Sequence, residues 1–180
     1  MEKINVFCIF SRHLSTLRHH STGKFSKGDF FLFYIVPVLI AVFASHYLNG
    51  NFLYSITSEL ITFFSILGGF MLNLLVLVYG FDIQKFKNPD LAAKVLRETT
   101  ANISYLITLA SIVILVLFAI KIASYVNGGF TLVAYGYDII FYIKQFLTVA
   151  IVSSLINFSL TIFMVLRRFY GLDYNLKQIL

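Results

Sequence analysis

The sequence predicts an all-α membrane protein of four transmembrane helices with both termini in the cytoplasm. An N-terminal amphipathic interfacial helix precedes the first span, and span three extends into the cytoplasm. Three observations carry this prediction. Apolar stretches run over about 30–48, 56–80, 100–126 and 139–166, each close to or beyond the ~20 residues that cross a bilayer core. The 180 residues are 59% hydrophobic and 12% charged, with mean hydropathy +0.86, which is too apolar for a monomeric soluble domain. The positive charges, finally, fall on one side. Of fourteen Lys and Arg, five precede span one, four (Lys85, Lys87, Lys94, Arg97) lie between spans two and three, and three (Arg167, Arg168, Lys177) follow span four. The loops 49–55 and 127–137 hold none, while Lys121 and Lys144 stand near the span ends that face them. The positive-inside bias then sets the orientation.

The segments read in order as a basic head (1–29), a four-helix membrane domain (30–170) and a short tail (171–180). In the head, Val6, Phe7, Phe10, Leu14 and Leu17 recur at helical spacing, with Arg12, His13, Arg18, His19 and His20 elsewhere on the same helix. That pattern fits a helix lying in the interface, aromatics in the acyl boundary and cations toward lipid head groups. The same basic, aromatic-interleaved residues, with Lys24 and Lys27 in the link that follows, suit a phosphate-rich ligand such as a nucleotide or single-stranded DNA oligomer. Three histidines without a neighbouring carboxylate or cysteine make a poor metal site, and one cysteine, Cys8, excludes an internal disulfide. Asp29 is the expected N-cap of span one, which Pro37 should bend and which otherwise reads as lipid-facing.

Span two carries a polar and small stripe, Glu59, Thr62, Ser65, Gly69, Asn73 and Gly80, at steps of three, four and seven. Asn73 falls near mid-span, where an amide should meet protein or water. Asn88 followed by Pro89 is a helix start, and nothing from there to Ser124 breaks a helix. At 1.5 Å per residue this gives on the order of 50 Å, enough to carry Lys94, Arg97 and Glu98 beyond the bilayer. Span three has a shorter stripe, Ser104, Thr108 and Ser111. Span four repeats the long pattern with Ala150, Ser153, Ser154, Asn157, Thr161, Met164 and Arg168.

Such stripes serve either helix packing or a hydrated path. On the pore reading, Glu59, Thr62, Ser65, Gly69 and Asn73 line it with Ser154, Asn157, Thr161 and Arg168. Four spans enclose little space, so a pore requires several copies around an axis, with a tetramer as the working expectation. Mid-membrane carboxylates and paired helix breaks, the marks of a coupled carrier, are missing from the sequence, as are catalytic motifs; neither an enzyme nor a cofactor is expected. Low proline with abundant Phe, Ile and Asn suggests a bacterial inner membrane.

The basic head Arg12 to Lys27, the four spans with both ends inside and the Arg167-Arg168-Phe169-Tyr170 exit resemble the small multi-span effectors of bacterial anti-phage operons. The layout is most similar to the channel subunit of Hailong-type defence, and the membrane subunit of Kiwa-type defence is similar in size and span number. The resemblance implies a homo-oligomeric, ion-conducting effector held closed by an anionic ligand, with a soluble operon partner that makes or senses the signal. The other reading of the same residues is a non-conducting membrane scaffold or sensor that recruits a soluble partner through its cytoplasmic face.

Overall fold

The computed structural model describes residues 6–17, 26–48, 52–86, 88–126 and 137–177, and every element among them is helical. A head helix, Val6–Ser15, comes first. Four helices long and apolar enough to cross a membrane follow: Lys27–Tyr47, Thr57–Tyr79, Pro89–Ile122 within a helix that continues to Val126, and Tyr142–Gly171 within Tyr137–Lys177. The chain is a multi-pass membrane protein.

Local chemistry sets the helix starts. Ser26, not Asp29, caps span one: its hydroxyl accepts the Asp29 N–H at 3.2 Å, which puts the Asp29 carboxylate in the first turn instead. Asn88 caps span three as its sequence suggests, its side-chain oxygen accepting the Leu91 N–H at 3.1 Å with Pro89 in the first helical position. No break follows, and the 38 residues Pro89–Val126 run about 57 Å as one helix.

Spans two and three form one tight pair, spans one and four another, and span three joins span four between them. Gly68 lies over Ala110 in the first pair, where a methyl would meet Ala110 Cβ at 3.6 Å, an ordinary van der Waals contact. Phe64 of span two meets Phe158 of span four edge-on, at 5.5 Å and 84°, and both are fully buried. In lipid no hydrophobic force drives such contacts, so close packing and interhelical hydrogen bonds must hold the bundle.

The strongest of those bonds meet at Asn157. Pro37 has no N–H, so the carbonyl of Phe33, four residues earlier, loses its helical donor. Span one passes through a π-helical turn at Phe31–Ile35, and the Asn157 side-chain N–H donates to the Phe33 carbonyl at 2.7 Å. The Asn157 oxygen accepts the Tyr105 hydroxyl of span three at 2.7 Å. One buried amide thus pins three spans together.

Replacing Asn157 by Leu leaves that carbonyl and that hydroxyl unpartnered. At about 0.6–1.7 kcal/mol per membrane hydrogen bond, the loss is about 1–3 kcal/mol of stability. Pro37→Ala restores the donor that Phe33 lacks, so part of the Asn157→Leu cost should vanish in the double variant. Thermal unfolding of the four proteins in detergent measures this; strictly additive effects would refute the link.

Candidate functional site

At the end of the bundle where the charges cluster, the head helix packs on span three. The apolar spacing leads to a different face from the expected one. His13 is 0% exposed and Leu17 1%, whereas Phe7 is 85% exposed on the opposite side. The reason is Tyr105. The His13 ring lies flat on it at 3.9 Å and 1°, and Phe10 meets the same ring edge-on at 5.1 Å. A flat ring with one polar edge satisfied packs as well as an aliphatic side chain, so His13 joins the buried face.

The satisfied edge is Nδ1, 2.8 Å from the side-chain oxygen of Asn102 on span three. The Thr16 hydroxyl lies 2.7 Å from the His13 carbonyl and 2.9 Å from the same Asn102 oxygen. Arg168 of span four donates through Nη2 to the Thr16 carbonyl at 3.2 Å and pairs with Glu98 of span three at 3.3 Å. The chain then folds back, with the Ser26 N–H donating to the Leu17 carbonyl at 3.1 Å, so the head is tied to the start of span one as well. Around this junction His13 Nε2, Asn102 Nδ2 and Arg168 Nη1 are buried with no hydrogen-bond partner among the described residues.

Burial holds the His13 imidazole down to a pKa of about 4; the positive charge of Arg168 adds to the effect and the bond to Asn102 opposes it. The docked ring is therefore neutral at ordinary pH, and in this position it offers no cation to an anionic ligand. Arg12 and Lys27 are exposed. Arg18, His19, His20 and Lys24 lie outside the described residues. Among the described residues no group of His, Cys, Asp and Glu could hold a metal ion.

The two polar stripes do not face one lumen within the chain. Glu59, Thr62, Ser65, Gly69 and Asn73 are all exposed, on the outer face of span two. Asn73 stands six residues before Tyr79 and five beyond the midpoint of its helix. Asn157 and Thr161 are buried inside the bundle instead, and the Thr161 hydroxyl donates to the Asn157 carbonyl at 2.9 Å. Ser154 is half-buried and bonded to the Ala150 carbonyl at 2.7 Å, and Arg168 is engaged at the head. Asn157 and Thr161 therefore face other helices of the same chain, the Asn157 amide meeting the carbonyl that Pro37 frees. Compared with family models, with curated proteins and with solved structures, the chain matches none.

Asn102, Tyr105 and Thr16 were not singled out by the sequence pattern. Asn102 carried a usable signal: it is an intramembrane amide like Asn73 and Asn157, and each such amide needs a named partner. It lies one turn from Thr99, which is equally buried, on a different face from the Ser104, Thr108 and Ser111 stripe.

A head released from the bundle exposes His13, whose pKa then returns to about 6.5. Above that value both forms are neutral and docking is at full strength. As pH falls from 6.5 toward 4, only the released form takes up a proton, so docking weakens by up to about 1.4 kcal/mol per unit. Hydrogen exchange of the 6–17 amides, corrected for intrinsic rate, should show falling protection across this window. His13→Phe, which keeps the stack on Tyr105, should remove most of that pH dependence; an unchanged profile would mean that His13 is not its source.

Proposed function

We propose that this chain is the subunit of a homo-oligomeric channel in a bacterial inner membrane, with both termini and the 80–98 loop in the cytoplasm and conduction set by an anionic ligand or partner at the basic head. The outer face of span two is the observation that supports it. An amide facing lipid at the depth of Asn73 is costly, and neighbouring copies would replace lipid there with protein and water. Copies related by a rotation axis would bring Glu59, Thr62, Ser65, Gly69 and Asn73 of each subunit to a shared path. Uncharged amides and hydroxyls suit permissive conduction, with Glu59 at the outer mouth. Span four plays no part in that lining.

The head supplies the control element in this reading. Phe7 faces outward, where it can enter the lipid interface, while Arg12 and Lys27 stand in solvent beside it. A phosphate-rich ligand, a nucleotide or a DNA oligomer, would bind these cations and bias the head between docked and released positions. The resemblance to Hailong-type and Kiwa-type membrane subunits supports reading such a channel as an anti-phage effector that works with a soluble operon partner. A second reading, a non-conducting scaffold, draws on the exposed Lys94 and Arg97 at the start of span three, which would offer a soluble protein a docking surface.

Ion flux from liposomes carrying the purified protein, with and without oligonucleotides, separates the two. A channel gives flux that an oligonucleotide alters, and Asn73→Leu cuts that flux while leaving the helical content unchanged. Absence of flux in every condition would reject the channel and leave the scaffold. Charge reversal at Arg12, Arg18 and Lys24 that leaves both binding and flux untouched would remove the head from the mechanism.

A further inference from the structure

A cleft of about 1480 Å³ opens between the head helix and the adjoining ends of the four spans. It is larger than the roughly 300–1,000 Å³ of ordinary small-molecule sites. Two chemistries line it. Arg12, Lys94, Arg97, Arg167 and Arg168 stand at its charged end against two carboxylates, Asp29 and Glu98. Glu98 is already committed to Arg168 at 3.3 Å, and even so Arg168 keeps a buried Nη1 with no partner. A buried guanidinium nitrogen in that state asks for a further acceptor.

The rest of the cleft's lining is largely apolar. Leu32, Tyr79 and Phe163, from spans one, two and four, contribute to its lining and are exposed on the bundle surface that lipid would cover. On span four the change from one chemistry to the other runs along a single face. Phe163 and Met164 each lie four residues, one turn, before Arg167 and Arg168, so the apolar and cationic side chains stack along the helix axis. A nucleotide would find acceptors' partners at the charged end but little for its polar body beyond it. A molecule with a phosphate at one end and hydrocarbon at the other matches both ends.

The geometry points to an anionic phospholipid as the occupant, its phosphate held by Arg97, Arg167 and the free Nη1 of Arg168, its acyl chains lying against Leu32, Tyr79 and Phe163. Guanidinium groups suit a phosphate by their planar, two-donor fit. Arg12 brings the head helix to the same phosphate, so the lipid would bridge the head to spans three and four. This site does not depend on the chain conducting ions, and a failed flux experiment leaves it standing.

Native mass spectrometry of the protein released from detergent doped with phosphatidylglycerol or phosphatidylcholine tests it. Phosphatidylglycerol should be retained preferentially. Charge-assisted bonds of 1.5–3 kcal/mol imply that the triple variant Arg12→Gln/Arg97→Gln/Arg167→Gln weakens its retention by about tenfold or more. All three side chains are exposed, so folding should survive, and Lys85→Gln, away from the cleft, should change nothing. On the wild-type protein, glycerol 3-phosphate should fail to displace the lipid, because it lacks the chains. Equal retention of both lipids, equal losses in the Lys85 and triple variants, or displacement by glycerol 3-phosphate at matched concentration would each overturn the proposal.

Discussion

Proline at position 37 removes a hydrogen-bond donor inside a membrane-spanning helix, and the carbonyl it strands, on Phe33, has to be satisfied within the protein because lipid supplies no donor. Asn157 meets that demand at 2.7 Å, and doing so fixes how span four sits against span one. The same side chain accepts the Tyr105 hydroxyl, which fixes span three against both. Spans two and three are joined differently, by apolar packing of Phe64 and Met71 with Leu106, Ala110 and Val113 and by the Lys121 ammonium donating to the Ser58 hydroxyl at 2.9 Å. Among these contacts the Asn157 anchor is hard to replace, because its loss leaves two buried groups bare.

Tyr105 carries the consequence to the head. Its hydroxyl is tied to Asn157 while its ring face supports His13 and its neighbourhood includes Phe10, so the position of span four and the seat of the head helix share one side chain. Arg168 makes a second connection from span four, to the Thr16 carbonyl and to Glu98. Anything that draws Arg168 toward a new anion also acts on the backbone of the head. A ligand at this junction and the docking of the head are thus thermodynamically linked, whatever the head controls.

Sequence periodicity located the four membrane helices, the long third helix and its Asn88-Pro89 start, because length, hydropathy and capping are local properties. What it could not assign was the neighbour each stripe faces: the stripes of spans two and four look alike in projection, yet one points out of the bundle and the other into it. The difference lies 124 residues away in sequence, at Pro37 and Phe33, whose stranded carbonyl recruits Asn157. His13 failed for a related reason. Hydropathy ranks imidazole with the cations, whereas against Tyr105 and Asn102 it behaves as a flat neutral ring. Asp29 and Ser26 are both good caps; Ser26, whose N–H is held by the Leu17 carbonyl, takes the role.

The case for a second copy of the chain narrows when each member of the outward stripe is taken alone. Gly69 has no polar side chain, and a methyl there would meet nothing within 4 Å, so it leaves open space without requiring a partner. The Thr62 hydroxyl is satisfied by its own helix, at 3.0 Å from the Ser58 carbonyl, as hydroxyls in membrane helices commonly are. Glu59 sits in the first turn of its span, where interfacial water reaches. Asn73 is different. Its amide lies about 9 Å inside the helix end, too far for a short side chain to reach the interface, and its two polar atoms cannot both be met by one helical carbonyl. A stripe of small residues alone would argue only for close packing; the amide within it demands hydrogen-bond partners, and on this face of the bundle only water, a neighbouring copy or another protein could supply them.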